Sequence, residues 1–399
     1  MISYLTAGES HGPQLTAILN GIPAGLRIDT EALQFQMDRR RKGYGRGGRM
    51  QIESDQVEIV SGLRHSLTLG SPITLIIRNQ DWENWAAIMD PIKEPPSDLG
   101  LRQKRLNEET TRPRPGHADL AGGIKYGHHD LRNVLERASA RETAARTAVG
   151  AICRQLLESF GIQFASHVVR IGSVEIESVA DLSNLELVRQ ITEQSEVRCL
   201  DAAAANRMIE EIKSAKNSRD SVGGVVELIA REVPTGLGSY GQASERLDGL
   251  LAGALMSIPS VKGVEFGIGF RGASLRGSQV HDEIHIAESS HPHAKGYYRT
   301  TNKAGGIEGG ISNGEDIMIR IAAKPISTLN RPLKTVDVVT HEPAEAMVER
   351  ADHCIVPALA VISEAIAAIV IARAFVAKFG GDSMTELTRN YQSWLSTPY

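Results

Sequence analysis

The stretch from Ile355 to Phe379 constrains this chain more than any other. After Val356 it reads PALAVISEAIAAIVIARAFVAKF. A helix of that composition is apolar on nearly every face and must be enclosed by lipid or by its own fold. Pro357 suits the first helical turn, and Gly380-Gly381 suits the end. Glu364 and Arg373 interrupt the run and no second span accompanies it. By length and charge the segment is therefore predicted to be a buried core helix, with no membrane as partner. A chain of 399 residues is long enough to bury it.

Strand patterns fall at Leu15–Leu19, Ile73–Ile77, Val225–Ala230 and Ile317–Ile321. The last alternates, with Ile317, Ile319 and Ile321 on one face and Met318 and Arg320 on the other. Helical patterns run over Ser139–Phe160, Ala202–Ala215, Ser244–Ser257 and Pro357–Phe379. Ser139-Ala140-Arg141-Glu142 reads as a capping box, and Gly161 ends that helix. Strands and helices interleave without a strict βαβ rhythm, and no repeat, linker or boundary is visible. That favours one α+β domain over residues 1–399. Two segments read as long loops and candidate lids, Asp81–His117 with its five prolines and Gly296–Gly314 with two Gly-Gly pairs.

The run Arg39-Arg40-Arg41-Lys42-Gly43-Tyr44-Gly45-Arg46-Gly47-Gly48-Arg49 holds six cations in eleven residues and no acid. Gly43, Gly45 and Gly48 fit a dinucleotide fingerprint, but that motif needs a strand before it and a helix after it, and neither signal is present. A nucleic-acid contact is the second reading. A net charge of -4 and only 5% aromatic residues argue against it. Glycines between arginines let the backbone fold tightly and aim several guanidinium groups at one point. A pocket for a small phosphorylated substrate fits best.

Two further motifs carry chemistry: Arg112-Pro113-Arg114-Pro115-Gly116-His117-Ala118-Asp119 and Arg350-Ala351-Asp352-His353-Cys354. His11 sits in the glycine-flanked turn Gly8-Glu9-Ser10-His11-Gly12-Pro13, close in sequence to the cations. Neighbouring arginines disfavour its proton-donating form until a phosphate dianion arrives, and then it becomes a candidate general acid. Asp352 is an isolated carboxylate between Arg350 and the start of the buried helix, a setting that favours the ionised form. His281, His285, His291 and His293 form a histidine-rich patch that lacks the order of a zinc motif, so no metal centre is expected. No nucleophile elbow appears. Cys153, Cys199 and Cys354 are too few and scattered for a disulfide framework, and the first residues carry no signal-peptide pattern. Both fit a reducing cytoplasm.

Taken together, the blocks resemble the chorismate synthase family over nearly the whole chain. They are GESHG at 8–12, RRKGYGRGGR at 40–49, RPGHAD at 114–119, SARET at 139–143, VKGVEFG at 261–267, GISNG at 310–314 and RADHC at 350–354. The resemblance implies a β-α-β sandwich with helices packed between two antiparallel sheets. It implies a lyase that eliminates phosphate and a ring hydrogen, in the anti-1,4 sense, from 5-enolpyruvylshikimate 3-phosphate to give chorismate. It also implies reduced FMN, which lends an electron as phosphate leaves and recovers it as the C–H bond breaks. A homotetramer and an external flavin reductase are the expected partners. NADPH is a candidate reductant, because some members reduce their own flavin.

Carried over by position, Arg40, Arg46 and Arg49 would hold the substrate's phosphate and carboxylates, with Arg114 and Arg141 helping. His11 would protonate the leaving phosphate, His117 would lie by the flavin, and Asp352 would take the proton that flavin N5 acquires. FMN contacts would come from Arg137, Ala138 and Ser139, from Pro259 and Ser260, from Gly309, from Lys324, Pro325, Ile326, Ser327 and Thr328, and from Arg350. The capped start at Ser139 independently suits an anion. Pro259-Ser260 stands where many members have Asn-Ala, and Ala351 replaces a more usual polar residue.

Overall fold

In the computed structural model, which describes residues 1–47, 53–96, 108–176, 182–287, 292–349 and 352–399, the strand patterns pair into two antiparallel sheets. The first joins β1 (Ser3–Ala7), β2 (Gln14–Asn20), β3 (Val57–Ile59) and β4 (Ile73–Arg78) in the order β1-β2-β4-β3. The second joins β5 (Gln163–Ile171), β6 (Val174–Glu175), β7 (Gly224–Arg231), β8 (Val261–Phe266) and β9 (Ile317–Ala323) in the order β8-β9-β7-β5-β6. In β9 the three isoleucines are buried while Arg320 is exposed, as the alternation predicts.

The helices that place the site are α1 (Thr30–Arg41), α2 (Trp82–Met89), α3 (Asp119–Tyr126), α4 (Arg132–Leu135) and α5 (Thr143–Glu158). After them come α6 (Leu185–Gln194), α7 (Ala202–Asn217), α8 (Leu247–Met256), α9 (Val356–Phe379) and α10 (Met384–Ser396). The apolar segment is α9, and most of it is buried inside the fold. It packs on α5 and on β5 and β7, while α5 packs on β1, β2 and β4. The two helices touch closely at Gly150, where a Cβ would stand 2.4 Å from the Ala365 carbonyl oxygen; only glycine permits that approach. One hydrophobic cluster runs from Ile2 to Tyr391 and draws on both sheets.

Glu364 lies in the middle of α9, 1% exposed. It accepts hydrogen bonds from Arg39 Nη1 at 2.7 Å, Arg154 Nη1 at 2.6 Å and Ser166 Oγ at 2.5 Å. Burial opposes its charge, but the two guanidinium groups outweigh burial and hold the carboxyl well below its usual range. Arg373 emerges into solvent near the helix end.

Three expectations need correction. The segment Asp81–His117 is not structureless: α2 lies within it, started by Asp81 and anchored by Trp85, and only residues 97–107 of it lie outside the described part. Gly296–Gly314 holds Tyr297–Arg299 and the hairpin Ile307–Glu308/Ile311–Ser312, so its glycines serve tight β-turns. Ser139 caps through Arg141 N at 3.4 Å, whereas the Glu142 carboxylate turns to Arg146. A 3-10 turn, Ala140–Glu142, therefore precedes α5.

Candidate active site

The basic run begins on the last turn of α1. Asp29 caps that helix by accepting from Glu31 N and Ala32 N, and Leu33 and Met37 anchor it in the core. Arg39 points into the core toward Glu364 and Glu193. Arg40, 3% exposed, pairs with Asp55 Oδ2 at 2.9 Å and also donates to Thr143 Oγ1 and the Ala140 carbonyl. Arg141 reaches the same acids, Asp55 Oδ1 at 3.2 Å and Glu53 Oε2 at 2.9 Å. Burial, reinforced by repulsion from Arg46 and Arg141 and partly offset by Asp55, pushes the Arg40 guanidinium down to about 10. It stays charged at neutral pH, in a cluster whose self-repulsion an anion would relieve.

Gly43 and Gly45, at φ of +121° and +89°, turn the chain against the RADHC segment. A Cβ at Gly45 would stand 3.0 Å from Cys354 Cβ, and its carbonyl accepts from His353 N at 2.8 Å. Arg46 Nη1 then meets Asp352 Oδ2 at 2.8 Å, and Gly47 N donates to Asp352 Oδ1 at 2.5 Å. Asp352 is thus paired, where the sequence suggested an isolated carboxylate. Arg49 and Arg350, both expected at the site, lie outside the described residues.

His11 meets a carboxylate. Glu136, 1% exposed, accepts from the His11 backbone N–H at 2.8 Å and lies 2.9 Å from its ring Nδ1. Burial opposes the Glu136 charge, but the bonds and charge of His11, with Arg132 beyond, hold the carboxyl below its usual range. The described partner of His11 is therefore an acid, where the sequence placed it close to cations. Trp85 of α2 stacks on the imidazole at 3.8 Å between ring centroids, and Arg132 lies over the other ring system at 5.6 Å from the Trp85 centroid. Arg137 is spent below this turn, on the carbonyls of Gly8 and Thr6.

His117 follows a similar plan. Its Nδ1 lies 2.5 Å from Asp119 Oδ1, at the first turn of α3. Arg114 is buried, clamps Asp119 from Nε and Nη2, and donates from Nη1 to Thr328 Oγ1 at 2.8 Å. Burial opposes the Asp119 charge, yet His117 and Arg114 hold it far below its usual range. Arg114 therefore sits on the His117 side of the site, where Asp119, His117 and Thr328 share its guanidinium. Glu349 stands 3.7 Å from Arg114 and 4.0 Å from Arg132, tying the two histidine groups together. Gln80 N donates to Glu53 and Asn79 Nδ2 to the Gly12 carbonyl, which ties the arginine group to the His11 turn.

The candidate flavin residues divide. Lys324 Nζ lies 2.9 Å from Ser327 Oγ, which donates to the Gly116 carbonyl, and Lys324 N donates to the Ser260 carbonyl. Ser260 takes a φ of +75°, a strained value for serine that turns Pro259-Ser260 against Lys324. Lys324, Ser327 and Thr328 thus line the His117 side, with Pro325 and Ile326 between them. Ala138 and Ser139 lead from Glu136 to the start of α5. Gly309 sits in its hairpin turn with open space on its Cβ side, and no hydrogen bond or ion pair joins it to the rest among the described residues. Sequence reasoning missed Glu53, Asp55, Asp119, Glu136 and Trp85. Asp119 closes a quoted motif and Glu136 adjoins Arg137, so proximity to the motifs was the available signal.

The Nε atoms of Arg46, Arg132 and Arg141 are buried and make no hydrogen bond among the described residues. Buried donors of this kind are ordinarily satisfied, and guanidinium groups suit phosphate and carboxylate oxygens. Together with Lys324 and two hydroxyls beside the bare Gly116 face, the donor set fits a phosphorylated substrate and the phosphate of FMN.

Comparison with known proteins agrees with this chemistry. The family model described as chorismate synthase matches residues 2–376. The chorismate synthase of Desulforudis audaxviator is 55% identical over 395 residues, covering 99% of this chain and 97% of that protein. Those of Symbiobacterium thermophilum and Geobacter metallireducens are each 52% identical, covering 98% and 99% of this chain and 98% of each relative. A solved crystal structure of chorismate synthase superposes with a TM-score of 0.77 at 41% identity, covering 99% of this chain and 97% of that one.

Proposed function

The chain belongs to the chorismate synthase family, and on that premise we propose that the joined arginine and histidine groups are where this shikimate-pathway lyase binds and turns over its substrate. 5-Enolpyruvylshikimate 3-phosphate loses its 3-phosphate and a ring hydrogen there to give chorismate. The observation that carries the reading is the set of buried guanidinium Nε atoms at Arg46, Arg132 and Arg141, held beside two histidine–carboxylate pairs. Arg40, Arg46, Arg49 and Arg141 bind the phosphate and carboxylates, while Glu53 and Asp55 hold Arg40 and Arg141 apart and aimed. Anions neutralised beside guanidinium groups this buried gain more than they would in water.

Reduced FMN, once bound, supplies the transient electron donation that lets phosphate leave without net oxidation. Lys324, Ser327, Thr328, Ser139, Pro259-Ser260, Gly309 and Arg350 are the residues we assign to it, with Arg137 holding the adjacent turn. His11 gives a proton from Nε2 to a phosphate oxygen as the C–O bond breaks. His117, oriented by Asp119, stabilises negative charge beside the flavin. Asp352, held by Arg46 and Gly47 N, receives the proton released when the C–H bond breaks. We read the path from the first sheet through α5 and α9 to the second as a β-α-β sandwich forming one domain. The proposal carries with it a cytoplasmic homotetramer supplied with reduced flavin by an external reductase, NADPH being the alternative reductant.

Anaerobic incubation of the purified protein with the substrate, FMN and dithionite tests this. Phosphate and chorismate should appear together. Salt-steep RNA retention in a filter assay, without elimination, would support the nucleic-acid reading of the arginine–glycine run and overturn ours.

A further inference from the structure

We infer that Glu136 is a positioning residue for the proton transfer, and that with Trp85 it fixes the His11 imidazole so that Nε2 is the nitrogen presented to the leaving phosphate. The inference rests on the proposed role of His11 and adds how this chain enforces it. One buried carboxylate takes both the backbone N–H and the ring Nδ1 of His11, at 2.8 Å and 2.9 Å. Two bonds from one residue to one acceptor fix the ring's torsion as well as its tautomer. A proton held on Nδ1 toward Glu136 makes Nε2 the site that donates and is recharged.

Trp85 closes the remaining freedom. Its ring lies parallel to the imidazole within 25° at 3.8 Å, which excludes water from that face. Trp85 is itself held, because its indole Nε1 donates to Asp81 Oδ2 at 3.1 Å. Arg132 backs both partners, near the indole face and 3.5 Å from Glu136 Oε1. Among the described residues the charged groups around the ring are Glu136, Arg132 behind it, Asp81 behind the indole, Arg137 at the Gly8 carbonyl and Glu9 within the turn, and Glu136 contacts the imidazole directly. During turnover the proton passes from Nε2 to a phosphate oxygen as the C–O bond breaks, while the Nδ1 proton stays on the ring, hydrogen-bonded to Glu136.

The experiment uses the full chain with reduced FMN and compares Glu136→Gln, Glu136→Asp and His11→Ala. Glu136→Gln keeps the shape and an acceptor but removes the charge. It should lower kcat by roughly 10²-fold, the low end of what a positioned acid supplies, with KM changed less than about threefold. Glu136→Asp, which restores the charge, should recover part of kcat. Should Glu136→Gln raise KM as much as it lowers kcat, or should Glu136→Asp recover none of the loss, the residue only supports the fold and the inference fails. Parent kcat in Glu136→Gln with a defective His11→Ala would also overturn it. Parent kcat in His11→Ala would instead remove His11 as the acid, which is the separate failure of the underlying assignment.

Discussion

Replacing Glu364 by Gln removes one negative charge from the centre of α9 and leaves two buried guanidinium groups facing an amide. Arg39 and Arg154 are 3% and 7% exposed, so water cannot take the place of the carboxylate. Arg39 keeps Glu193 on its Nε and Arg154 keeps Glu158, which limits the loss to part of each ion pair. Breaking a buried pair by neutralising one partner costs about 3–5 kcal/mol. With an unfolding entropy of roughly 2.1 cal/mol/K per residue, a chain of 399 residues would lose about 4–6 °C in thermal midpoint. The pH dependence has a fixed sign. Glu364 is held at about 2, below the ordinary glutamate value of 4.5. Its stabilisation is fully present above about pH 4.5 and is lost as pH falls toward about 2. The parent should therefore weaken across that window, and Glu364→Gln should weaken less there because its deficit is already present at neutral pH. Thermal melts at pH 7 and pH 4 for both proteins check this. A midpoint within about 1 °C of the parent at pH 7 would show that Arg39 and Arg154 do not depend on this carboxylate.

Other perturbations act at the site. Asp352→Asn keeps an acceptor for Gly47 N but removes the base; reduced FMN and substrate should still bind while turnover falls by about 10²–10⁴, and parent turnover would leave Asp352 with a structural role only. Arg46→Ala should weaken substrate binding by about 2–5 kcal/mol and FMN binding much less, measured by calorimetry; equal losses would contradict its assignment to the substrate. Gly150→Ala should cost about 1–3 kcal/mol, because the new Cβ meets the Ala365 backbone, and an unchanged denaturation midpoint would show that α5 and α9 can part freely.

What could be read in advance followed the strength of each local signal. The α9 segment declared itself because no other soluble role suits a helix apolar all round, and β9 because its isoleucines alternate. The helix α1 gave little away: its sequence TEALQFQMDRRR is polar, and tertiary partners, Glu364 and Asp55, hold its last turn. Ser383 and Glu386 form a capping box at α10, a signal legible in the sequence. The one at Ser139 forms only by half, because Arg146 takes the Glu142 carboxylate. At the site, the cations and histidines stood out by composition. Their acids did not, since Glu136 and Asp55 look like ordinary polar residues until folding carries them against His11 and Arg40. The pairing of Arg114 with Asp119 shows the same limit at short range: the spacing was visible, but not that it would withdraw the arginine from solvent.

A single turnover with full accounting of flavin and products tests the central claim most directly. Enzyme carrying reduced FMN is mixed anaerobically with limiting 5-enolpyruvylshikimate 3-phosphate, and phosphate, chorismate and the flavin spectrum are followed together. The account predicts one phosphate and one chorismate for each substrate consumed, with the flavin fully reduced at the end. Flavin left oxidised in proportion to product, or product formed at the same rate with oxidised FMN, would contradict it.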